Sequence, residues 1–474
     1  MTLTLTVPPR TDADRLTGLP VAVIGAGPVG LAAAAHLLER GLDVVVYEAG
    51  PSVGTAVRAW GHTRLFSPWQ YVIDPAARRL LGPAGWTEPR PSSLPTGHDL
   101  VAQYLEPLAA TPPLASVIRY GTWIDAVSRQ GMDRTRSTGR ADTPFLLRLR
   151  SGDTTNTVTA RAVIDASGTY TTPNPLTAAG LEPTGMLGTR ITSALPDVLG
   201  ADRARFAEKR VLVVGAGHSA ANTLIKLAAL AKIAPSTDVL WAVRNAGTAR
   251  LGADAADGLA ARGQLGSTVH GLVESGQVQQ IASYEIDDVR ADGDQVTVTG
   301  RRAGEPFAVT VDVIVNATGF RPDLDMLREI RLGLDDIVEA PRALAPLIDP
   351  NLHSCGSVPP HGVAELAHPE PNFFIAGMKS YGRAPTFLLL TGYEQVRSIA
   401  AELAGDHQAA RDVQLVLPET GVCSTDIGGT SCCTAPAAPA APAAPAAPAA
   451  EDAEDAACCA TPEPAADSTS CCTN

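Results

Sequence analysis

Short apolar runs alternate with a helical pattern near the start of the chain. Residues 21–24 and 44–47 are uninterrupted apolar runs, and residues 29–40 between them have the apolar spacing of a helix. Apolar runs of this length indicate buried strands, and strands that alternate with helices indicate parallel pairing. The pattern therefore predicts a βαβ unit, after a short polar extension at residues 1–18.

The same pattern returns in the second half of the chain. An apolar run at residues 210–214 leads into a helical pattern that lasts to residue 232, and residues 239–243 form the next apolar run. Residues 54–93 have no sustained period, which predicts long loops with short helices. The remaining predicted strands are 117–127, 145–150 and 157–164 as a β-meander, followed by 296–299, 307–315 and 372–376; the remaining predicted helices are 98–108 and 385–403.

The charge of the chain argues against polyanionic partners. The net charge is −13, and residues 413–474 contribute eight acidic residues without any lysine or arginine. Phosphate backbones and anionic membranes require a basic field, so we expect no nucleic acid and no membrane partner. Residues 19–38 carry no charge, but glycines and a proline interrupt them, which disfavours a membrane span or a signal peptide. The expected location is the cytoplasm.

A glycine-rich turn follows the first apolar run. In GAGPVG, Gly25 permits a tight turn, Gly27 lets a pyrophosphate approach the helix N-terminus, and Gly30 lets helix and strand pack closely. Glu48 ends the second strand, where an acid can accept hydrogen bonds from the ribose hydroxyls of adenosine. This register of strand, turn, helix, strand and acid predicts an FAD site.

A second turn of the same type follows residue 214. GAGHSA retains Gly215 and Gly217 and places Ala220 at the third position, which the pattern tolerates. The next strand ends at Arg244 rather than at an acid, and a guanidinium suits the 2′-phosphate of NADPH. The sequence therefore predicts an α/β chain with two Rossmann-like domains, one for FAD and one for NADPH.

Together with DASG at residues 165–168 and ATGFRPD at residues 317–323, these turns resemble flavoproteins with two dinucleotide-binding domains. That family includes flavin-containing monooxygenases, N-hydroxylases and disulfide reductases. The resemblance implies that Gly168, Gly319 and Gly377 lie near the cofactors. It also implies a discontinuous FAD domain at residues 19–170 and 316–405, an NADPH domain at residues 171–315, and a flexible tail at residues 406–474.

The positions of the cysteines and the motifs of three further segments narrow the resemblance to one branch of this flavoprotein family. The chain has no cysteine before Cys355, so a conventional redox pair beside the flavin is absent. Residues 181–200 lack the FxGxxxH signature of typical flavin-containing monooxygenases. Residues 194–200 and 368–398 resemble the flavin monooxygenases of bacterial arsenic-resistance clusters. This resemblance implies an FAD-dependent monooxygenase that uses NADPH and molecular oxygen on a small soft nucleophile, such as a trivalent arsenical.

Candidate catalytic residues are few, because the cofactor supplies most of the chemistry in such enzymes. We consider Arg64 and Trp69 after the first βαβ unit, and Lys379 and Arg383 after Gly377; for each of them, loop packing or phosphate contact is the alternative. The spacing of His361, Glu365 and His368 could suit a metal, although loop hydrogen bonding is the commoner role of such residues.

Three adjacent cysteine pairs lie in the acidic, alanine- and proline-rich tail. Residues 435–450 repeat alanine and proline with a period of three, which favours an extended spacer of roughly 50 Å. Thiolates select soft ions, so the pairs suggest binding of a soft metal or metalloid. Two further hypotheses follow: a flavin reductase that uses the pairs as a shuttle, and a non-enzymatic thiol-binding or sensing protein. The paired residues are Cys432, Cys433, Cys458, Cys459, Cys471 and Cys472.

Overall fold

The computed structural model describes residues 15–185, 187–245, 259–350, 358–384 and 387–415. These residues all belong to one compact unit, Met1–Ile427, whereas the second unit, Gly428–Asn474, lies outside the described ranges. Cys355, the tail cysteines and the alanine- and proline-rich spacer also lie outside them. The structure therefore addresses the two dinucleotide turns and their surroundings.

Sixteen strands are found in the described ranges. They are β1 Val21–Ile24, β2 Val44–Tyr47, β3 Ile118–Arg119, β4 Trp123–Arg129, β5 Phe145–Ser151, β6 Thr154–Ala160, β7 Ala162–Asp165, β8 Ile191–Ser193, β9 Arg210–Val214, β10 Asp238–Ala242, β11 Gln279–Ile281, β12 Tyr284–Asp292, β13 Gln295–Arg302, β14 Glu305–Val311, β15 Val313–Asn316 and β16 Phe373–Ile375.

Twelve α-helices accompany the strands in the same ranges. They are α1 Pro28–Glu39, α2 Thr55–Ala59, α3 Pro75–Leu81, α4 Gly97–Leu100, α5 Glu106–Ala109, α6 Pro112–Ala115, α7 Arg203–Phe206, α8 His218–Ala231, α9 Ala260–Glu274, α10 Ala345–Ile348, α11 Leu389–Leu403 and α12 His407–Arg411. A π-helical turn, Val101–Leu105, joins α4 to α5, and the five 3₁₀ turns are Trp69–Tyr71, Gly82–Ala84, Gly188–Arg190, Asp325–Leu327 and Gly377–Tyr381.

The first parallel sheet has the strand order β16-β7-β1-β2-β3. Its centre, β1, is fully buried, and α1 covers it with a run of four solvent-inaccessible alanines at residues 32–35. Small side chains let the helix lie close to the sheet. On its other side α1 meets α11, where a Cβ added at Gly392 would lie 2.7 Å from the Val29 side chain. The helix is thus buried on nearly all sides, which explains its almost wholly apolar sequence.

The second parallel sheet has the strand order β11-β10-β9-β15-β8 and repeats the first. Each sheet has the strand before the glycine-rich turn at its centre. On one side of that strand lies the strand after the first helix. On the other lies a strand, β7 or β15, that follows a three-stranded antiparallel meander. The predicted α/β fold with two Rossmann-like units is confirmed.

Most predicted elements are present, but several boundaries were wrong. The segment predicted as one strand at 307–315 is two strands in different sheets, β14 in the second meander and β15 in the parallel sheet. The segment 117–127 likewise divides into β3 and β4. Helix α11 begins at Leu389, and the segment 98–108 contains a π-helical turn. A single residue, Asp312, separates β14 from β15, which is too short a break to interrupt the hydrophobic pattern. Between β3 and β4 the turn residue Gly121, with a φ of +61°, marks the boundary that the prediction missed.

Among the described residues, no helix is both long and apolar enough to cross a membrane.

Candidate dinucleotide sites

The first glycine-rich turn joins β1 to α1. Gly25 has a φ of +99°, and a Cβ there would lie 2.8 Å from the Ala166 carbonyl oxygen. A Cβ at Gly30 would lie 1.9 Å from the Gly25 carbonyl oxygen. At Gly27, however, a Cβ would meet no atom within 4 Å. The outer two glycines are therefore required by packing, whereas Gly27 leaves open space in front of the helix N-terminus.

Glu48 follows β2 and is 8% exposed. Its carboxylate accepts hydrogen bonds from the Ala26 amide at 2.7 Å and the Gly50 amide at 2.8 Å. The sequence suggested ribose hydroxyls as its partners; the structure adds these two backbone donors, which fix the carboxylate beside the turn. Each carboxylate oxygen can accept a second hydrogen bond, so ribose hydroxyls can still bind there.

The second turn joins β9 to α8 in the same way. Gly215 has a φ of +130°, and a Cβ there would lie 2.1 Å from the Ala317 carbonyl oxygen. Its own carbonyl accepts a 2.7 Å hydrogen bond from Nε1 of Trp241. Ala220 is fully buried, and a Cβ at Gly217 would again point into open space. Both turns thus keep a cradle open before a helix N-terminus, which fits the pyrophosphate of a dinucleotide.

The strands β7 and β15 end in equivalent turns beside these cradles. Oδ1 of Asp165 accepts from the Ser167 hydroxyl at 2.6 Å, and Oδ1 of Asn316 accepts from the Thr318 hydroxyl at 2.6 Å. The glycines that follow, Gly168 and Gly319, have φ values of +74° and +97°. A Cβ at Gly319 would lie 3.3 Å from the Asn174 side chain, whereas none is near Gly168. The two halves differ here mainly by the charge of Asp165.

Lys379 supplies the countercharge in the first half. Its Nζ lies 2.7 Å from Oδ2 of Asp165 and 3.2 Å from the Ser167 hydroxyl, and the residue is 2% exposed. The sequence suggested Lys379 as a catalytic candidate, with loop packing or phosphate contact as the alternative. The structure instead commits its ammonium to a buried ion pair that ties the Gly377–Tyr381 turn to the end of β7.

A buried polar network fixes the turn that begins at Gly377, whose φ is +72°. Oε1 of Gln395 accepts from the Gly377 amide at 2.8 Å, and Nε2 of Gln395 donates to the Ser380 hydroxyl at 2.9 Å. The Ser380 hydroxyl donates to the Gly377 carbonyl at 2.7 Å. Because α11 carries Gln395, this helix sets the position of the turn.

His361 completes this network. Its Nδ1 lies 3.0 Å from the Pro359 carbonyl and must carry the proton, so Nε2 accepts from Nε2 of Gln395 at 2.9 Å. Burial lowers the pKa of His361, which keeps the ring neutral. His361 and Glu365 are thus engaged in loop hydrogen bonds, the commoner role of such residues: Glu365 accepts from the Gly362 amide, and no cluster of three metal-ligating side chains occurs in the described ranges.

The other catalytic candidates make their contacts away from the glycine cradles. Trp69 is 3% exposed and packs in the core beneath α1. Arg64 is exposed and donates to the Leu94 carbonyl. Arg383 pairs with Glu339 at 2.6 Å and remains partly exposed. Arg244 is exposed just after β10, at the carboxyl edge of the second sheet.

Two aromatic contacts connect the halves at the turns. The ring of Phe66 lies 5.2 Å from the ring of His218, the first residue of α8. The ring of Tyr170, after the β7 turn, lies 5.3 Å from that of Phe320, after the β15 turn. Between these rings the chain crosses twice as a short antiparallel pair, in which the Asn174 amide donates to the Gly319 carbonyl and the Arg321 amide donates to the Thr172 carbonyl, both at 2.9 Å.

Comparison with known protein families matches each half separately. Residues 20–111, which contain the first turn, match the family described as FAD dependent oxidoreductase. Residues 151–351, which contain the second, match the pyridine nucleotide-disulphide oxidoreductase family. The two halves of the chain are thus each similar to a family of oxidoreductases, one that uses FAD and one that uses a pyridine nucleotide. Both glycine cradles fit that pair of cofactors.

Curated relatives match only parts of the chain. A thiamine thiazole synthase of Pyrobaculum aerophilum is 47% identical over 51 residues, which are 11% of this chain and 20% of that protein. A flavin-containing monooxygenase of Arabidopsis thaliana, FMO GS-OX-like 2, is 26% identical over 248 residues, or 46% of this chain and 49% of that protein. The chain therefore spans at most about half the length of these relatives.

Solved structures share the fold of the chain over most of its length. A bacillithiol disulfide reductase of Bacillus cereus superposes with a TM-score of 0.59 at 18% identity, covering 82% of this chain and 99% of that one. An ornithine N-hydroxylase of Kutzneria sp. 744, whose structure contains reduced FAD, NADP⁺ and L-ornithine, gives a TM-score of 0.56 at 16% identity, with coverages of 82% and 99%.

Sequence reasoning missed Asp165, Gln395 and the positioning role of His361. The DASG motif was recognised, but its aspartate was not connected to a lysine more than two hundred residues later. Gln395 lies in a helix that the pattern placed correctly, and nothing in the spacing of its neighbours indicates a contact with Gly377.

Proposed function

We propose that this oxidoreductase is a monooxygenase that takes electrons from NADPH and oxygenates a small soft nucleophile. The observation that supports it best is the pair of open glycine cradles in a chain without any cysteine before Cys355. A disulfide reductase of conventional design requires a cysteine pair beside the flavin, whereas a monooxygenase does not. Bound FAD supplies the redox chemistry and the reaction with oxygen.

The proposed domain boundaries follow the two parallel sheets. The FAD domain comprises residues 19–170 and 316–405, and the pyridine nucleotide domain comprises residues 171–315 between them. In this arrangement Gly25, Gly27 and Gly30 receive the FAD pyrophosphate and Glu48 the adenosine ribose. Gly215, Gly217 and Ala220 receive the second dinucleotide. Gly168, Gly319 and Gly377 shape the backbone near the cofactors.

NADPH is proposed over NADH because of Arg244. The strand before it, β10, corresponds to β2, and Glu48 follows β2 directly in the FAD half. The register matches Val243 to Glu48 and places Arg244 one residue further along the same sheet edge. A carboxylate at this edge repels a 2′-phosphate, whereas a guanidinium binds it by paired charge-assisted hydrogen bonds. The NADP⁺ bound to the ornithine N-hydroxylase that shares this fold agrees with the proposal.

Replacing Arg244 tests the choice of dinucleotide. Arg244→Glu is expected to weaken NADPH binding on the order of 10- to 100-fold, because charge-assisted hydrogen bonds are lost and repulsion is added. NADH binding should change much less. Arg301→Glu is the matched control, since Arg301 is 56% exposed on the meander and 3.9 Å from Glu285. Equal effects on NADPH and NADH would contradict the assignment.

The proposed substrate is a trivalent arsenical or another thiophilic species, in metalloid resistance. Support comes from the resemblance of residues 368–398 to flavin monooxygenases of arsenic-resistance clusters and from the three cysteine pairs of the tail. Arsenite or methylarsenite should stimulate NADPH oxidation by the purified protein only when oxygen is present. Each stimulated turnover should consume one oxygen molecule, measured with an oxygen electrode.

The tail cysteines favour a second candidate, a reductase of a soft metal ion or disulfide. The fold shared with a bacillithiol disulfide reductase is compatible with it. In that case NADPH oxidation with Hg(II) should proceed without oxygen and collapse in the Cys471→Ser/Cys472→Ser double variant. A protein that bound arsenite tightly but never accelerated NADPH oxidation would instead be a thiol-based binding or sensing protein.

A further inference from the structure

Three residues lie in a row immediately after the carboxyl ends of β1, β2 and β3: Gly25, Glu48 and Tyr120. The strands are in register, and the ladder continues past their ends. The Gly25 amide donates to the Tyr47 carbonyl at 2.7 Å, and the Glu48 amide donates to the Arg119 carbonyl at 2.9 Å. Neighbouring strands are about 4.8 Å apart, so the three positions are spaced by about that distance along the sheet edge.

This row follows the order of groups in FAD. Gly25 opens the cradle for the pyrophosphate, and Glu48 is placed for the adenosine ribose. Along the cofactor the adenine comes next after this ribose. The next position along the sheet edge is Tyr120, so its side chain lies where the adenine is expected.

The backbone of Tyr120 is held firmly in place. The Gly121 amide donates to the Gly50 carbonyl and the Thr122 amide donates to the Glu48 carbonyl, both at 2.9 Å. Partial burial raises the pKa of Tyr120, and the nearby Glu48 carboxylate acts in the same direction. The two hydrogen bonds place the Tyr120 backbone directly beside the residue that carries this acid.

The ring itself remains 41% exposed. A single exposed aromatic residue is common and carries no meaning alone. Tyr120 differs from such a residue because a rigid backbone places it beside a buried acid at the end of a parallel strand. Its partly exposed ring offers an apolar face to a planar base.

We propose that Tyr120 is the adenine platform of the FAD site, with its ring packed against a face of the base. Stacking of a base on an aromatic side chain tolerates any ring of similar size and shape, so the hydroxyl is dispensable. The contribution of such stacking corresponds to a change in affinity on the order of 10- to 100-fold.

Flavin titration of the full-length apoprotein tests the proposal. FAD and FMN share the isoalloxazine ring, the ribityl chain and one phosphate, but only FAD has adenosine. Tyr120→Ala should weaken FAD binding on the order of 10- to 100-fold and leave FMN binding unchanged, as measured by flavin fluorescence. Tyr120→Phe should retain FAD affinity within about threefold, because the ring is kept.

Trp123 provides the matched control. It is 49% exposed only three residues later, but its ring lies 5.6 Å from the Arg150 guanidinium on the meander. Trp123→Ala should leave FAD affinity unchanged, and circular dichroism should show that all variants fold. The proposal is overturned if Tyr120→Ala binds FAD as the parent does, or if FAD and FMN affinities fall together. A parent protein that binds neither flavin would refute the FAD assignment itself.

Discussion

Asp165 and Asn316 occupy equivalent positions in the two halves, yet they differ by one charge. Each places Oδ1 on the hydroxyl two residues later. Oδ2 of Asp165 pairs with the buried ammonium of Lys379, whereas the amide of Asn316 donates to the Asn174 carbonyl at 2.9 Å. The second half therefore shows how the same turn is built without a buried charge.

This comparison predicts the behaviour of substitutions at the ion pair. Asp165→Asn alone leaves the Lys379 ammonium buried without a partner and should lower the free energy of unfolding by about 3–5 kcal/mol. The double variant Asp165→Asn/Lys379→Met removes both charges and should recover most of that loss. Urea denaturation of all four proteins in a double-mutant cycle measures the effect. Additive losses would contradict the pairing.

His368 predicts a dependence of stability on pH. Its Nδ1 accepts from the Gly333 amide, and its buried Nε2 has no hydrogen-bond partner among the described residues. Burial lowers the pKa of His368 from 6.5 to about 4. Between these values the unfolded chain binds a proton that the folded protein does not, so stability falls as the pH drops through this window and is unaffected above it.

Replacing His368 isolates its contribution from those of other acid-sensitive groups. His368→Gln keeps an acceptor for the Gly333 amide but does not titrate. The difference in unfolding free energy between parent and variant should therefore be constant above about pH 7 and shift in favour of the variant toward pH 4. Urea denaturation at pH 7.5, 6, 5 and 4.5 checks this, and a constant difference throughout would refute it.

At the scale of elements, the glycine turns were predictable because their signals are local. Gly25, Gly30 and Gly215 are required by contacts made with their own turn or with the strand alongside. Lys379 and Asp165 are more than two hundred residues apart in the sequence. No short motif therefore predicts their pairing. Only part of the second meander was predicted from the sequence. A single residue separates β14 from β15, so the two strands resemble one strand in the hydrophobic pattern.

Alanine substitutions at two glycines of the first turn should cause two different defects. Gly30→Ala places a Cβ against the Gly25 carbonyl and should destabilise the apoprotein by about 2 kcal/mol or more, because α1 must move off the sheet. Gly27→Ala meets no protein atom and should leave the apoprotein stable, while its methyl group fills the pyrophosphate cradle and weakens FAD binding at least tenfold. Thermal melting without flavin and FAD titration separate the two effects.

The reverse pattern would contradict this assignment of the two glycines. If Gly27→Ala destabilised the apoprotein while Gly30→Ala weakened only FAD binding, packing and cofactor contact would have been assigned to the wrong positions. Gly217→Ala offers the parallel test in the second half, with the pyridine nucleotide as the titrated ligand.

At the scale of the whole molecule, the chain divides after residue 427 into two units. This division predicts that the first unit binds the cofactors and the second supplies the paired thiols. Ending the chain after Ile427 removes all six paired cysteines and keeps the compact unit that contains both cradles. The shortened protein should retain FAD content and change its unfolding free energy by less than about 0.5 kcal/mol. It should lose most of its arsenite-binding thiol capacity, measured by thiol titration with and without arsenite. Loss of FAD would show that the tail supports the fold.

The double crossing of the chain between the two sheets restricts how they can move. Its two backbone hydrogen bonds, from Asn174 to Gly319 and from Arg321 to Thr172, resist sliding or separation of the halves. The backbone itself therefore tethers the two halves at this point, in addition to the aromatic contacts beside the turns. We expect any movement between the halves to be a rotation about this ribbon rather than a separation of the two sheets.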